Sequence, residues 1–371
     1  MNRVLVYGLK DPAGGVEQVV MEYAKSMTAQ FDISFDFIVF SQEFSLEKEI
    51  EGLGCRVVRL PVRRKNLSGY KKAMAALFET NQYCAVWGNY SGLTNIDILT
   101  LAKKHGVPVR IVHSHVSRLY WGSAVMKYVV HVLHAYNKSR LTRYATHYFA
   151  CSRVAMEFMI PQKVQTQTVF LRNAVDTARF CPDAAIRQRT RATLGIAENA
   201  VVVGHVARMC DVKNQSFLLK IMAQIAKQAP DARLLFVGDG ELRPQLEEKA
   251  RQLGITDRVI FTGSRRDVPD LLRAMDVYVL TSFSEGLSVS AVEAQASGLP
   301  CVLSAAVSEE TDVSGAVRFV SLEESTQVWA DAILAQAAGT ADDPGHRLAE
   351  HGYEITSAAR RLHNMLTGEN L

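Results

Sequence analysis

The chain has 371 residues, which is too long for one ordinary hydrophobic core and predicts two domains of average size. Its 48% hydrophobic and 22% charged residues are typical of a globular protein, and no apolar stretch of about 18 residues could form a membrane-spanning helix. Residues 1–180 carry 23 Lys and Arg against 13 Asp and Glu, a balance of +10, which leaves −6 of the total of +4 for the remainder. The first half therefore either meets an anionic partner or presents a solvated basic surface.

The first residues, MNRVLVYGLK, contain a short apolar run but lack the successive regions of a signal peptide, so they predict a first strand. The six cysteines lie far apart without any C-x-x-C spacing, which does not favour a zinc site. Scattered cysteines without an export signal predict a protein of the reducing cytoplasm.

Short apolar runs alternate with longer helical patterns along both halves of the chain. In the first half, the runs that predict buried strands are RVLVYG, FDFIVF, CRVVRL, YCAVWG, VRIVHS and HYFACS. In the second half they are AVVVGHV, ARLLFVG, RVIFTG, VYVLTS and PCVLS. Helical patterns such as EQVVMEYAKSM and NQSFLLKIMAQIAKQ lie between them, so the sequence predicts an α/β protein with two doubly wound parallel sheets.

Strand periodicity is lost over residues 172–183, which predicts the linker between the two domains. The first domain is expected to span residues 1–175 and the second residues 176–351, with a final amphipathic helix over about residues 352–371. Ligands of parallel sheets bind outside the carboxyl ends of the strands. We therefore expect the two domains to face one another across a cleft that is lined by the loops after the strands.

Gly14 and Gly15 follow the first predicted strand and precede a helix. A glycine pair lets the backbone approach a ligand closely, and the helix begins with free amides. The alternative is that the pair forms only a tight connection without any ligand, which is often the role of a glycine turn between a strand and a helix. The spacing is not G-x-G-x-x-G and no acidic residue follows at the spacing of NAD-binding proteins, so an oxidoreductase is disfavoured.

Arg208 and Lys213 follow another predicted strand, within GHVARMCDVKNQ. Two cations at the carboxyl end of a strand can neutralise a diphosphate, Arg through forked hydrogen bonds and Lys as a point charge. The alternative is a pair of solvated surface cations.

The most specific motif is SFSEGLSVSAVEAQASGLP, over residues 282–300. It predicts Glu285 in a loop and Glu293 about two turns into the following helix. The first amides of that helix form an anion site. Two glutamates on a helix surface are the alternative. The residues of this turn that we expect to contact a ligand are Gly286, Leu287, Ser288 and Val289.

His113 and His115 end a strand of the first half, in Val-His-Ser-His. A histidine at the carboxyl end of a strand can hydrogen-bond a sugar hydroxyl or move a proton, and a satisfied core histidine is the alternative for each. A histidine pair also raises the question of a metal. No third ligand lies near it in sequence and D-x-D occurs nowhere in the chain, so no metal cofactor is expected.

Together these segments resemble glycosyltransferase family 4, and within it the bacterial capsular and exopolysaccharide enzymes. The resemblance extends over GGVEQVV, RIVHSH, LRNAVDTARF, VGHVARMCDVKN, LFVGDGEL, FTGSRRDV and EGLSVSAVEAQASGLPCVLS. It implies a GT-B fold, whose two Rossmann-like domains face across a cleft and whose last helix crosses back to the first domain. It also implies metal-independent transfer of a hexose or N-acetylhexosamine from a nucleotide-sugar, UDP-linked by family preference, with retention of configuration.

The resemblance implies a role for each candidate residue. Glu293 is expected to hold the donor ribose, while Glu285 and His113 lie near the transferred sugar. Arg208 and Lys213 are expected to clamp the diphosphate. The residues expected to approach the diphosphate from the other domain, or to lie near the base, are Gly14, Gly15, Arg266 and Val268. The candidates on the acceptor side are Asn89, His115 and Arg118.

Three segments depart from the family pattern. Trp87-Gly88-Asn89 stands where many members have His-x-His, which puts the acceptor side in doubt. Ser288 stands in place of a common glycine, which affects contacts to the donor. The linker contains NAVD rather than the commoner NGVD, which should matter little.

No carboxylate nucleophile for a double displacement is evident from the sequence. The resemblance implies attack on the same face instead, with the leaving phosphate helping to deprotonate the acceptor. Residues 61–72 and 117–144 mix cations with Tyr, Trp and Leu, and such segments can rest on an anionic membrane surface. We therefore expect a peripheral protein at the inner face of the cell membrane, acting on a glycan or a polyprenyl-diphosphate-linked saccharide in capsule, lipopolysaccharide or exopolysaccharide synthesis.

Two alternative functions remain open at this point. A GT-B sugar-nucleotide epimerase needs no second substrate, and a non-catalytic subunit that binds carbohydrate or membrane needs no turnover. Retention of both cations and both glutamates argues against the second. A nucleic-acid partner is disfavoured, because no recognition motif accompanies the basic residues.

Overall fold

The computed structural model describes residues 2–11, 13–116, 124–339 and 344–368, without the side chains of residues 124–125 and 344–346. The chain divides into two compact units. Unit 1 contains Met1–Ala174 and Ile355–Leu371, and unit 2 contains Val175–Glu354. The first boundary falls one residue before the predicted one, and the last helix begins three residues after the predicted position.

Unit 1 is built on a seven-stranded parallel sheet with the strand order β3-β2-β1-β4-β5-β6-β7. Its strands are β1 (Asn2–Tyr7), β2 (Ile33–Val39), β3 (Arg56–Arg59), β4 (Ala85–Tyr90), β5 (Val109–Ser114), β6 (His147–Ala150) and β7 (Thr168–Phe170). Its helices are α1 (Gly15–Gln30), α2 (Glu47–Gly52), α3 (Leu67–Thr80), α4 (Asp97–Lys104), α5 (Ala124–Tyr144), α6 (Arg153–Met159) and α15 (Ile355–Thr367).

Unit 2 is built on a six-stranded parallel sheet with the strand order β10-β9-β8-β11-β12-β13. Its strands are β8 (Val202–Val206), β9 (Arg233–Val237), β10 (Val259–Phe261), β11 (Val277–Leu280), β12 (Cys301–Ser304) and β13 (Val317–Val320). Its helices are α7 (Thr177–Phe180), α8 (Ala184–Thr193), α9 (Gln215–Gln228), α10 (Arg243–Gln252), α11 (Val268–Arg273), α12 (Val289–Ala296), α13 (Thr326–Ala337) and α14 (Pro344–Glu350).

The two doubly wound parallel sheets predicted from the sequence are confirmed. Two strands were missed, β7 and β13, and both lie at the outer edge of their sheets. They are three and four residues long and only partly buried, so their apolar pattern is weak. The predicted linker is also more ordered than expected, because Asp176 caps the short helix α7 by accepting a hydrogen bond from the amide of Arg179.

The last helix, α15, belongs to unit 1 because its apolar face packs on α1. Ala358, Ala359, Leu362 and Leu366 are buried, as the amphipathic pattern predicts. The ring of His363 stacks on Phe31, just after α1, with 3.9 Å between centroids. In the described part of the chain, no helix is both long and apolar enough to cross a membrane.

Candidate active site

The site in unit 2 forms where the strand order reverses. Strands β8 and β11 are neighbours. From β8 the chain continues to β9, toward one edge of the sheet, and from β11 it continues to β12, toward the other edge. The loops that follow the two strands therefore diverge and leave a crevice, which is where open α/β sheets bind ligands. Arg208 and Lys213 lie after β8, and Glu285 lies after β11.

Lys213 and Glu285 meet in this crevice as an ion pair. The ammonium nitrogen of Lys213 lies 2.7 Å from Oε1 and 2.6 Å from Oε2 of Glu285. The two side chains are 16% and 20% exposed, so the pair is largely but not fully removed from water. An anion that reaches Lys213 must therefore share it with, or take it from, a carboxylate of the same unit.

The backbone around Lys213 is fixed by the loop after β11. Asn214 has a φ of +53°, the left-handed conformation that Asn tolerates better than most residues, and no other non-glycine residue of the described ranges has a positive φ. The hydroxyl of Thr281 donates to the carbonyls of Lys213 and Asn214, at 3.2 and 3.1 Å. The amide of Phe283 donates to the carbonyl of Val212. Together these contacts aim Lys213 at the crevice.

Glu285 is fixed from its own loop and from the loop after β12. The hydroxyl of the buried Ser282 donates to Oε2 of Glu285 at 3.1 Å. The carbonyl of Ser282 in turn accepts from the hydroxyl of Ser304, at 2.6 Å. A parallel bridge joins Glu285 to Val307. Sequence reasoning missed the roles of Ser282 and Asn214, although Ser282 is the first residue of the 282–300 motif and Asn214 directly follows Lys213.

The helix that follows Glu285, α12, begins at Val289 with Ser288 as its N-cap. Glu293 is therefore just over one turn into the helix, not about two as predicted. The Ser288 side chain makes no capping hydrogen bond, so it leaves the first amides of the helix to another acceptor. The positive end of the helix dipole adds to the attraction for an anion there. The buried Tyr278 hydroxyl lies 2.8 Å from that of Ser290 in the first turn of α12.

Arg208 lies in the same loop as Lys213 but takes no part in the Lys213–Glu285 ion pair. Its guanidinium is 68% exposed and lies 3.0 Å from the carboxylate of Glu241, in the loop after β9. Exposed pairs of this kind contribute little to stability. Glycine is required in the loop after β9, because a Cβ at Gly238 or Gly240 would come within 2.1 to 2.3 Å of the carbonyl oxygens after β8. Sequence reasoning missed Glu241.

The two residues expected near a base lie on the loop after β10. Arg266 is exposed, and Val268 begins helix α11. This loop is tied to the loop after β9, since the amide of Gly238 donates to the carbonyl of Gly263 at 2.9 Å. Both loops thus belong to one hydrogen-bonded edge of unit 2.

In unit 1, the glycine pair stands at the start of α1, which begins at Gly15. The buried carboxylate of Glu17 accepts hydrogen bonds from the amides of Lys10 and Gly14, at 2.9 and 2.8 Å. It thereby fixes the loop between β1 and α1. Sequence reasoning missed this role, although a Glu three residues after the position that caps a helix is its known signal.

His113 and His115 lie together at the carboxyl end of β5, with 3.8 Å between their ring centroids. Burial lowers the pKa of His113 well below its usual value, and His115 lowers it further. Burial also lowers the pKa of His115 to about 3. Both rings are therefore neutral at pH 7. Asn89 contacts His115, whereas Arg118 lies outside the described residues.

The described residues contain no group of three or more His, Cys, Asp or Glu side chains that could hold a metal ion.

Two family models match the chain. Residues 14–174 match the glycosyl transferase 4-like domain, and residues 200–338 match glycosyl transferases group 1. EpsF of Bacillus subtilis (strain 168), described as a glycosyltransferase, is 34% identical over 335 residues, which cover 88% of this chain and 85% of EpsF. The chain belongs to the family 4 glycosyltransferases.

A second relative and a solved structure are also similar to this family 4 glycosyltransferase. The UDP-Gal:alpha-D-GlcNAc-diphosphoundecaprenol alpha-1,3-galactosyltransferase of Escherichia coli is 33% identical over 135 residues, 36% of this chain and 35% of that enzyme. HepE of Anabaena, solved in complex with UDP and glucose, has a TM-score of 0.77 and 19% identity, covering 99% of this chain and 100% of HepE. The two parallel-sheet domains have the GT-B fold, and the protein is a glycosyltransferase.

Proposed function

We propose that this glycosyltransferase transfers a hexose or N-acetylhexosamine from a UDP-sugar to a glycan or a polyprenyl-diphosphate-linked saccharide in surface polysaccharide synthesis. Transfer retains the anomeric configuration and needs no metal ion. The polysaccharide assignment is supported by the Vi polysaccharide biosynthesis protein VipC/TviE of Salmonella typhi, which is 36% identical over 119 residues. The names of the E. coli relative and of the HepE complex support the UDP-sugar, and the former supports the lipid-linked acceptor.

One observation carries the proposal: Lys213 lies at the switch point of the unit 2 sheet, together with a helix N-terminus whose N-cap side chain does not occupy it. Breaking the bond to a nucleoside diphosphate puts negative charge on the leaving phosphate. Lys213 and the amides of α12 stabilise that charge, and one preorganised donor of this type contributes about 3 kcal/mol to the transition state. Arg208 supplies a second cation from the same loop.

The surroundings of Glu285 support attack on the same face over double displacement. A nucleophilic carboxylate must be free to reach the anomeric carbon. Both oxygens of Glu285 contact Lys213, and one also accepts from Ser282. Glu285 therefore positions Lys213, and the leaving phosphate takes the proton of the acceptor hydroxyl.

The test is the donor-dependent release of nucleoside diphosphate. A panel of nucleotide-sugars is first screened for thermal stabilisation, where a ligand at 100 times its dissociation constant adds about 2.7 kcal/mol. The best ligand is then incubated with the protein, with and without candidate acceptors. We expect release that rises with acceptor. A C2- or C4-epimer of the donor sugar would identify an epimerase, and binding without turnover would identify a non-catalytic subunit.

Metal independence is tested in the same assay. Because Lys213, Arg208 and the helix N-terminus supply the positive charge, we expect EDTA to leave the rate unchanged. A rate that vanishes in EDTA and returns with magnesium or manganese contradicts this part of the proposal.

The proposed membrane contact is centred on α5. Its buried stripe faces the rest of unit 1 and consists of Val130, His134, Asn137 and Leu141. Its outward side exposes a group of large apolar and aromatic side chains together with cations. The exposed apolar residues are Met126, Tyr128, Val129, Val132, Leu133 and Tyr136. Such a face suits an anionic lipid surface, to which each nearby Lys or Arg contributes about 1 kcal/mol.

Vesicle flotation tests this contact. The exposed Lys127 and Arg143 are changed to Gln, because the structure gives Lys138 another role, donating to the carbonyls of Glu157 and Phe158. We expect weaker flotation with anionic vesicles at low salt, with donor binding intact. The matched control changes two exposed lysines of α9 in unit 2, Lys220 and Lys227. A parent protein that does not float at any salt concentration favours a soluble acceptor.

A further inference from the structure

Two side chains of β4 lie against the two histidines, and the proposed chemistry does not account for them. Trp87 and Asn89 are two positions apart on β4, as His113 and His115 are on the neighbouring chain segment, so all four side chains lie on one face of the sheet. In the register, Trp87 pairs with Ile111 and Asn89 with His113. Each β4 residue contacts the histidine two positions beyond its register partner.

The contact from Trp87 fixes the proton of His113. The indole nitrogen of Trp87 lies 3.3 Å from Nδ1 of His113. Indole N–H is a donor only, so Nδ1 must be the acceptor and the proton of the neutral ring must be on Nε2. Trp87 is fully buried and its ring lies nearly parallel to that of His113, at 14°. The ring of His113 therefore has one orientation and one tautomer.

The contact from Asn89 fixes the proton of His115 in a similar way. The amide nitrogen of Asn89 donates to the carbonyl of Trp87 at 3.5 Å, which turns its oxygen toward Nε2 of His115 at 2.8 Å. That oxygen is an acceptor, so His115 carries its proton on Nε2 and a lone pair on Nδ1. Gly8 packs on the carbonyl of Asn89, where a Cβ would come within 1.8 Å, and so holds this stretch of β4 in place.

The two rings consequently present opposite hydrogen-bonding atoms. Nε2 of His113 is a buried donor without a hydrogen-bond partner in the described part of the chain. His115 is only half-buried, and its hydrogen bond within that part uses Nε2, which leaves Nδ1 open to a ligand. A buried polar group left unpaired costs about 1–3 kcal/mol, which the fold tolerates where a ligand supplies the partner. A hydroxyl group needs one donor and one acceptor, whereas a phosphate or an ammonium group would meet one matching and one repelling atom.

We propose that Trp87 and Asn89 are positioning residues, which fix complementary tautomers of His113 and His115 so that the two rings together bind one saccharide hydroxyl. His113 donates to the hydroxyl oxygen, and His115 accepts the hydroxyl proton. This inference rests on the proposed glycosyl transfer. It also assigns His113 as a neutral hydrogen-bond donor, not as a group that moves a proton, since the indole N–H opposes protonation at Nδ1.

The tautomers are read directly by long-range ¹H–¹⁵N correlation spectra of the full chain labelled at histidine. In the parent protein at pH 7, we expect both His113 and His115 to be neutral and protonated on Nε2. Trp87→Phe removes the indole N–H and should release the tautomer of His113 but not of His115. Asn89→Leu should do the reverse. For the sugar that the donor panel selects, Trp87→Phe should lower kcat/KM about tenfold, the size of one lost hydrogen bond.

The matched control is Trp329→Phe in unit 2, because Trp329 is equally buried and donates its indole N–H to the carbonyl of Ser321 at 2.9 Å. It should change neither the histidine spectra nor kcat/KM. A parent spectrum that shows His113 charged or protonated on Nδ1 overturns the inference, even if the Trp87 variant does not fold. Unchanged spectra and kinetics in Trp87→Phe overturn it as well. Failure of the proposed function gives a different result: the parent protein then releases no nucleoside diphosphate, whatever its histidine spectra are.

Discussion

The histidine pair of unit 1 and the Lys213–Glu285 pair of unit 2 both lie at the carboxyl ends of neighbouring parallel strands. They differ in charge and in what holds them. His113 and His115 are neutral and are held by side chains of the adjacent strand. Lys213 and Glu285 are charged, remain partly exposed and are held by loops. The two units thus contain a neutral site and an ionic one.

This difference fits two kinds of substrate group. A neutral imidazole pair on strands is rigid and can match the donor and acceptor of a hydroxyl without any charge to desolvate. An ion pair on loops can admit a second anion, because part of its charge stays in contact with water. We therefore expect Lys213 to bind the diphosphate while it keeps a contact with Glu285.

The largest expected effect comes from removing the cation of the ionic site. Lys213→Ala should lower kcat/KM by about 100- to 1,000-fold, the usual loss for one preorganised group that stabilises a developing anion. Steady-state release of nucleoside diphosphate measures it. The matched control is Lys220→Ala, an exposed lysine of the following helix, which should behave as the parent does. Equal rates for Lys213→Ala and the parent would remove Lys213 from the site.

The second effect concerns His205, a buried imidazole of unit 2, the unit that contains the Lys213–Glu285 pair. Burial, with a contribution from Lys213, lowers the pKa of His205 to about 4, although its hydrogen bond to the carbonyl of Val279 opposes the shift. The folded-state value lies below the unfolded one of about 6.5, so the unfolded state binds the extra proton as the pH falls. The contribution of the neutral His205 to the free energy of unfolding is fully present above about pH 6.5. It should fall by about 3 kcal/mol toward pH 4.

Urea unfolding at several pH values measures this loss. His205→Gln keeps a hydrogen-bond donor for the carbonyl of Val279 but does not titrate. In a plot of the free energy of unfolding against pH, this variant should therefore lose the part of the slope that comes from the protonation of one group. Equal slopes for the variant and the parent between pH 6.5 and pH 4 would show that His205 is not held neutral.

A smaller effect tests how Lys213 is shared between Glu285 and the diphosphate. Glu285→Gln removes the competing charge while keeping the size of the side chain and its contact with Ser282. We expect UDP to bind about 3- to 10-fold more tightly, which corresponds to about 0.7–1.4 kcal/mol, while turnover falls. Calorimetric titration and initial rates measure the two effects separately. Weaker UDP binding by this variant would show that Glu285 assists the diphosphate instead of competing with it.

The smallest effect is expected at the exposed cation. Glu241→Gln releases Arg208 from a pair whose members are 56% and 68% exposed. Because such exposed pairs hold their members only weakly, UDP affinity should change less than fivefold. A change as large as that of Glu285→Gln would mean that Arg208 and Lys213 are held by equivalent pairs.

Much of the fold could be predicted because buried parallel strands give strong apolar runs. The edge strands β7 and β13 could not, since partial burial weakens that pattern. Glu285 and Lys213 were each identified from sequence, but their pairing was not. They are 72 positions apart and meet only because β8 and β11 are neighbours. The motif also grouped Arg208 with Lys213, whereas the structure turns it toward Glu241.

The contact between Trp87 and His113 shows the same limit. Sequence comparison with the family pattern marked Trp87-Gly88-Asn89 as a departure, but a departure does not say what the new side chain contacts. The tautomers depend on the register of β4 and β5 and on which ring atoms face one another. Residue types alone do not contain that information.

The central claim is retaining transfer from a nucleotide-sugar, and the anomeric proton of the product tests it most directly. The parent protein is incubated with the α-linked UDP-sugar that stabilises it best and with an acceptor, in the presence of EDTA, and the reaction is followed by ¹H NMR. We predict that UDP is released and that the new glycosidic linkage has the small anomeric coupling of an α-gluco or α-galacto sugar. A β-linked product, or a donor that stays intact, would contradict the account.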